Sequence, residues 1–143
     1  MGALILDASV LIGLLDAADA HHARAVDDTE AADRAGRALL TPASAYSEAL
    51  VAFAQADRLG DARQAIAAMG IAIAALTATM AEQAAELRAR HPSLRLPDAI
   101  VLACARELEG ELLSYDRRLT RISQVGEGQV TGRPRTRHRG GRA

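Results

Sequence analysis

Residues 3–15 read Ala-Leu-Ile-Leu-Asp-Ala-Ser-Val-Leu-Ile-Gly-Leu-Leu, and the change of pattern at Asp7 decides how the rest of the chain is parsed. Residues 3–6 form a short unbroken apolar run, which fits a strand buried on both faces as in a parallel sheet. Asp7 or Ser9 suits the cap of a helix that follows at once, with Val10, Leu11, Leu14 and Leu15 as its apolar stripe. Three more apolar runs lead into helices in the same way: residues 38–41, 71–74 and 111–114. Between them the spacing predicts a polar helix over 21–36 and a helix opened by Thr41 as cap and Pro42 at its first position. It also predicts helices over 58–69, stopped by Gly70, from Thr77 to about residue 90, over 96–108, and a short one over 117–122. Residues 129–131 are a weak fifth strand. Alternating strands and helices of this kind make an α/β domain with a mostly parallel sheet of four to five strands.

The chain has 143 residues, a size that fits one domain. Half of them are hydrophobic but only three are aromatic, so the core is built of Ala, Leu, Ile and Val. Scarce aromatics argue against modules that bind single strands by stacking bases on Phe or Tyr. All 17 cationic side chains are Arg. Without Lys there is no phosphate-binding P-loop lysine, no Schiff-base amine and no kinase strand lysine. Residues 1–125 carry 17 acids against 12 Arg, a net −5, and read as the folded domain. Residues 126–143 carry one acid and five Arg, a net +4, and read as a Gly- and Arg-rich tail. The tail reads either as disorder, which its composition favours, or as an electrostatic contact to RNA. The single Cys104 allows no internal disulfide and fits a reducing cytoplasm. There is no secretory signal pattern. The uncharged stretch 64–81 is read as a helix end, a strand and a helix start, not as a membrane span.

Ligands of open α/β sheets bind beyond the carboxyl ends of the strands. Asp7 follows the first strand and Asp116 the fourth; Asp98 lies in the first turn of a helix, and Glu48 about two turns into another. Taken singly, Asp7 and Asp116 serve equally as helix caps, Asp98 as a charge complementing the helix dipole, and Glu48 as a surface charge. Taken together they are four acids able to meet at one rim. Converging carboxylates repel unless a cation or protons offset them, and an all-oxygen donor set suits a hard divalent ion such as Mg²⁺. No Cys/His grouping has zinc spacing. Arg117 and Arg118 read equally as phosphate contacts or exposed helix charges. His21, His22 and His91 read as surface or loop residues, Cys104 as core, and the acids between 27 and 33 as a solvated face.

Four stretches carry a family likeness: Ile5-Leu6-Asp7-Ala8-Ser9-Val10-Leu11-Ile12, Thr41-Pro42-Ala43-Ser44-Ala45-Tyr46-Ser47-Glu48, Leu96-Pro97-Asp98-Ala99-Ile100-Val101-Leu102-Ala103 and Leu113-Ser114-Tyr115-Asp116-Arg117-Arg118-Leu119. In this order they resemble the PIN-domain ribonucleases that serve as toxins of bacterial VapBC toxin–antitoxin pairs, over residues 3–122. The resemblance implies a three-layer α/β/α fold and Mg²⁺- or Mn²⁺-dependent cleavage of RNA. It implies Asp7, Glu48, Asp98 and Asp116 as the catalytic and metal-holding acids, with Ser9 and Ser114 as supporting hydroxyls. It also implies a VapB-type antitoxin and a homodimer formed through Ala/Leu-rich helices. The Arg-rich tail exceeds what the family pattern needs.

Other functions fit less well. A haloacid-dehalogenase phosphatase needs a second Asp where Ser9 stands, and a Lys; a response-regulator receiver needs that Lys too. A dinucleotide-binding domain needs a Gly-rich first turn where Asp7-Ala8-Ser9 would set a carboxylate against the pyrophosphate. The alternative from another class is a catalytically silent PIN-like domain that only binds RNA or a protein.

Overall fold

The computed structural model describes residues 2–127, with side chains to residue 125. Along the chain run β1 (Leu4–Leu6), α1 (Ala8–Leu15), α2 (His22–Arg34), β2 (Leu39–Pro42), α3 (Ala43–Gln55), α4 (Leu59–Ala68), β3 (Ile71–Ala74), α5 (Ala78–Arg90), α6 (Leu96–Glu107), β4 (Glu111–Leu113) and α7 (Arg117–Glu127). The four strands make one parallel sheet in the order β3-β2-β1-β4, with Leu4 opposite both Leu39 and Glu111, and Leu39 opposite Ile71. The weak strand expected at 129–131 and the tail lie outside the described residues.

Side-chain alternation along β1 builds the two halves of the core. Ile5 points into a cluster with Met80, Ala84 and Leu87 of α5, Leu102 and Cys104 of α6, and Leu119 of α7. Leu4 and Leu6 point the other way, toward Val10, Leu11, Ala25, Ala32, Ala49 and Ile66 on α1 to α4. Helices therefore cover both faces and the fold is three-layered, α/β/α. β1 is buried along its whole length, the environment its unbroken apolar run requires. Small residues set the spacing. A Cβ on Gly110 would lie 2.7 Å from Ile5 Cγ1, so only glycine lets the turn before β4 close onto the sheet. Gly70, at φ +69°, ends α4 in the left-handed conformation.

Three local expectations change. Pro42 is the last residue of β2 and precedes the first helical residue of α3 instead of occupying that position. Thr41 is no cap: its buried Oγ1 donates to the carbonyl of Leu6 at 2.9 Å, a cross-strand partner at the edge where β1 runs into Asp7. The last helix runs to Glu127, five residues beyond the predicted end. Among the described residues no helix is long and apolar enough to cross a membrane.

Candidate active site

From β1 the chain builds outward in one direction to β2 and β3, then returns to place β4 on the other flank of β1. The sheet therefore has its switch of direction between β1 and β4, and open α/β sheets form their binding crevice at the carboxyl end of such a switch. Asp7 leaves β1 there, and Ser114 leaves β4.

Asp7 is 5% exposed and its carboxylate is held on both oxygens. Oδ1 accepts from Ser9 Oγ at 2.6 Å and from the Val10 amide at 3.2 Å, which makes Asp7 the cap of α1. Oδ2 accepts from Ser114 Oγ, a short bond that spans the switch point. Ser114 Oγ also accepts from the Asp116 amide at 3.0 Å, and Ser9 Oγ from the Tyr115 amide at 3.1 Å. The two hydroxyls thus lace the turn after β4 to the turn after β1. Burial raises the Asp7 carboxyl above its ordinary 3.8, the bonds from Ser114, Ser9 and the Val10 and Ser9 amides opposing it.

Glu48 reaches the rim from α3. Its carboxyl is raised, first by burial and then by the charges of Asp98 and Asp7, with Arg95 opposing. Asp98, in the first turn of α6, has a side chain 18% exposed and is gripped by Arg95, with Nε to Oδ2 at 3.2 Å and Nη2 to Oδ1 at 3.4 Å. Asp116 is exposed, and its Oδ1 accepts from the amides of Arg118 at 2.9 Å and Leu119 at 3.4 Å, capping α7. Asp98 and Asp116 line one recess of about 80 Å³ together with Arg95 and Arg118. Arg117 is exposed at the start of α7 and does not line that recess.

The four acids are therefore neighbours, and three of them are engaged locally: Asp7 by hydroxyls, Asp98 by Arg95, Asp116 by backbone amides. As they stand, among the described residues, no three carboxylate, imidazole or thiol groups converge tightly enough to enclose a metal ion. The donor chemistry nevertheless suits a hard cation. Glu48 is repelled by both Asp98 and Asp7, Glu48 and Asp7 carry raised carboxyls, and all the donors are oxygen.

The PIN-domain family model matches residues 4–125. The chain belongs to the PIN-domain family. Among solved structures, this PIN domain is similar to VapC20 of Mycobacterium tuberculosis, described as a Sarcin-Ricin loop cleaving toxin. The TM-score is 0.66 at 20% identity, covering 84% of this chain and 95% of the other. It is also similar to a chain of a toxin–antitoxin complex from Klebsiella pneumoniae, with TM-score 0.63 at 23% identity, covering 80% and 87%. At these identities the likeness is one of fold. Comparison with curated proteins gave no match.

Two features of the PIN-domain rim escaped the sequence reading. Arg95 pairs with Asp98 and is also drawn by the charges of Glu48 and Asp116. Its position three residues before Asp98 was the available signal, since side chains three apart on a helix meet. Second, Asp28 is not simply part of a solvated acidic face. Its Oδ2 accepts from the Tyr115 hydroxyl at 2.8 Å, and His21 stacks on the Tyr115 ring with centroids 4.8 Å apart. Arg24 lies 4.7 Å from the same ring. Burial and the Asp28 bond push the Tyr115 hydroxyl well above the usual phenol range. His22 is half-buried with Nδ1 2.7 Å from the Gly13 carbonyl, so it ties α2 to α1 and is not a free surface residue.

Proposed function

We propose that this chain is an Mg²⁺- or Mn²⁺-dependent endoribonuclease acting as the toxin of a type II toxin–antitoxin pair. The observation that carries the reading is the acidic carboxyl edge of the sheet, where Glu48 lies in the field of Asp98 and Asp7, and Asp98 shares a recess with Asp116. Both similar structures come from toxin systems by their descriptions, which supports the toxin role and a VapB-type antitoxin as partner.

Asp7, Glu48, Asp98 and Asp116 would hold the ion, whose chemistry is to activate a water and offset charge on the phosphate undergoing attack. The protein's own groups do the positioning. Ser9 and Ser114 fix the Asp7 oxygens, so this carboxylate meets a cation without reorganising. The α7 amides hold Asp116 beside Asp98. Arg118, in the same recess, is placed for a phosphate flanking the scissile one, and Arg117 at the exposed helix start for one further along. Exposed Val51 on α3 and Leu59 on α4 are candidate contacts of a homodimer. The buried free thiol of Cys104 suits a reducing, cytoplasmic setting.

The test is RNA cleavage by the purified chain after chelation and after Mn²⁺ is restored. Cleavage that requires the ion and is lost in Asp98→Asn is expected. The engagement of Asp7, Asp98 and Asp116 by local partners favours one other reading, a PIN domain that binds RNA or protein without turnover. Divalent-ion affinity with intact RNA at every ion concentration would decide for that reading.

A further inference from the structure

Arg95 sits where the rim most wants positive charge. It is the residue just before α6, and its guanidinium bonds Asp98 while also feeling Glu48 of α3 and Asp116 before α7. Three acids from three elements therefore share one cation of the chain itself. Resting on the metal-dependent reading above, we propose that Arg95 is a built-in, exchangeable counter-ion. It neutralises Asp98 when no divalent ion is present, competes with that ion for the carboxylate, and once displaced is free to contact the phosphate backbone of the RNA.

Three observations make the grip one that can be given up. The contacts, at 3.2 and 3.4 Å, are long beside the 2.7–2.9 Å typical of charged N–H···O bonds. The Arg95 side chain is 68% exposed, so water screens the pair and hydrates the guanidinium as it leaves. Its flexible stem lets the head group move without disturbing α6. The carboxylate differs: Asp98 is only 18% exposed on a packed helix and stays at the rim when its partner goes. A compact ion carrying two charges outcompetes one delocalised charge for such a site, and an Arg near phosphate is a ready bidentate donor. The arrangement keeps an acidic rim neutralised without a metal, and makes metal loading the event that frees a cation for RNA.

Calorimetric titration of the metal-free full chain with Mn²⁺ tests this, comparing wild type with Arg95→Gln, Arg95→Lys and Arg63→Gln, the last removing an exposed charge on α4. Competition predicts that Arg95→Gln binds Mn²⁺ about fivefold tighter, the low end of measured coupling between sites. Arg95→Lys and Arg63→Gln should stay within about twofold of wild type. With Mn²⁺ saturating, Arg95→Gln should raise KM for RNA several-fold with little change in kcat. Equal or weaker Mn²⁺ binding by Arg95→Gln, with wild type binding the ion, would overturn the counter-ion role and leave the metal site standing. No Mn²⁺ binding by any variant would instead overturn the metal-dependent reading, and this inference with it. Thermal unfolding of each variant without metal identifies any that is unfolded, and Arg95→Ala, which removes the charge at a residue whose side chain makes no cap bond to α6, then takes the place of Arg95→Gln.

Discussion

The two ends of the sheet handle charge in opposite ways. At the amino-terminal edge, Arg37 is 16% exposed and its donors have fixed acceptors: Nε to the Gly2 carbonyl at 3.1 Å, Nη2 to the Ala3 carbonyl at 3.5 Å, and an ion pair to Glu111 at 2.9 Å. That cation clamps the segment before β1 to the start of β4. At the carboxyl-terminal edge, Asp98 and Asp116 share a recess with Arg95 and Arg118, and the pairing that they and Asp7 find is loose or supplied by neutral donors. A charge matched one to one with its surroundings holds the fold together. An excess of one sign, raised by burial and kept in place by hydroxyls, is destabilising until a ligand arrives, and so marks a functional edge.

Substitutions at the two ends should therefore separate activity from stability. Replacing Asp98 or Asp7 by Asn should lower RNA cleavage by more than about 100-fold, beyond the 10- to 100-fold loss typical for a residue that only supports a metal ligand. Cleavage assays over a Mn²⁺ series measure this, and near-wild-type rates in both variants would remove the distinction between the two ends. Ser114→Ala should fall within that 10- to 100-fold range, because the hydroxyl both fixes Asp7 and receives the Asp116 amide. At the other end, Arg37→Ala should cost about 1–3 kcal/mol in urea unfolding, since it removes charged hydrogen bonds to the exposed Gly2 and half-buried Ala3 carbonyls and the pairing with Glu111. Its rate per folded molecule should be unchanged.

The pH dependence of the metal-free protein sharpens the contrast further. Burial raises Asp7 in the folded state, so between its ordinary 3.8 and the raised value the folded chain binds more protons than the unfolded chain. Stability contributed by this group is therefore lost as pH rises through that interval and is not regained above it. Asp7→Asn removes the loss. Without metal the variant should unfold at higher temperature than wild type at neutral pH, and the gap should close below about pH 3.8. Saturating Mn²⁺ should reverse the order by stabilising only the wild type. The smallest effect is expected for Tyr115→Phe, about 0.5–1.5 kcal/mol for the bond to Asp28. A fall in activity exceeding that loss of stability would show that α2 helps to position the rim.

Much of this was legible because it depends on local pattern. The run before Asp7 must be a strand buried on both sides, since an apolar segment without alternation has no face to offer water. Thr77, with its hydroxyl accepting from the Met80 amide at 3.2 Å, caps α5, and Gly70 ends α4, because caps and left-handed turns are properties of a few adjacent residues. Thr41 was misread for the complementary reason. A threonine before a helix looks like a cap, and nothing nearby reveals that a carbonyl 35 residues back lies within reach of its hydroxyl. Tyr115 and Asp28, 87 residues apart, could not be paired by any spacing rule.

What the amino-acid order determined by itself was the succession of strands and helices, the placing of acids just beyond strands or early in helices, and the absence of a lysine-based alternative chemistry. Periodicity, capping and composition act over a few residues and need no knowledge of the fold. Tertiary structure alone decided which strand stands beside β1, that Ser114 therefore bonds Asp7, and that Arg95 lies among Asp98, Glu48 and Asp116. Coulomb interactions and hydrogen bonds depend on distance in space, and that distance is set only when the two halves of the core close on the sheet.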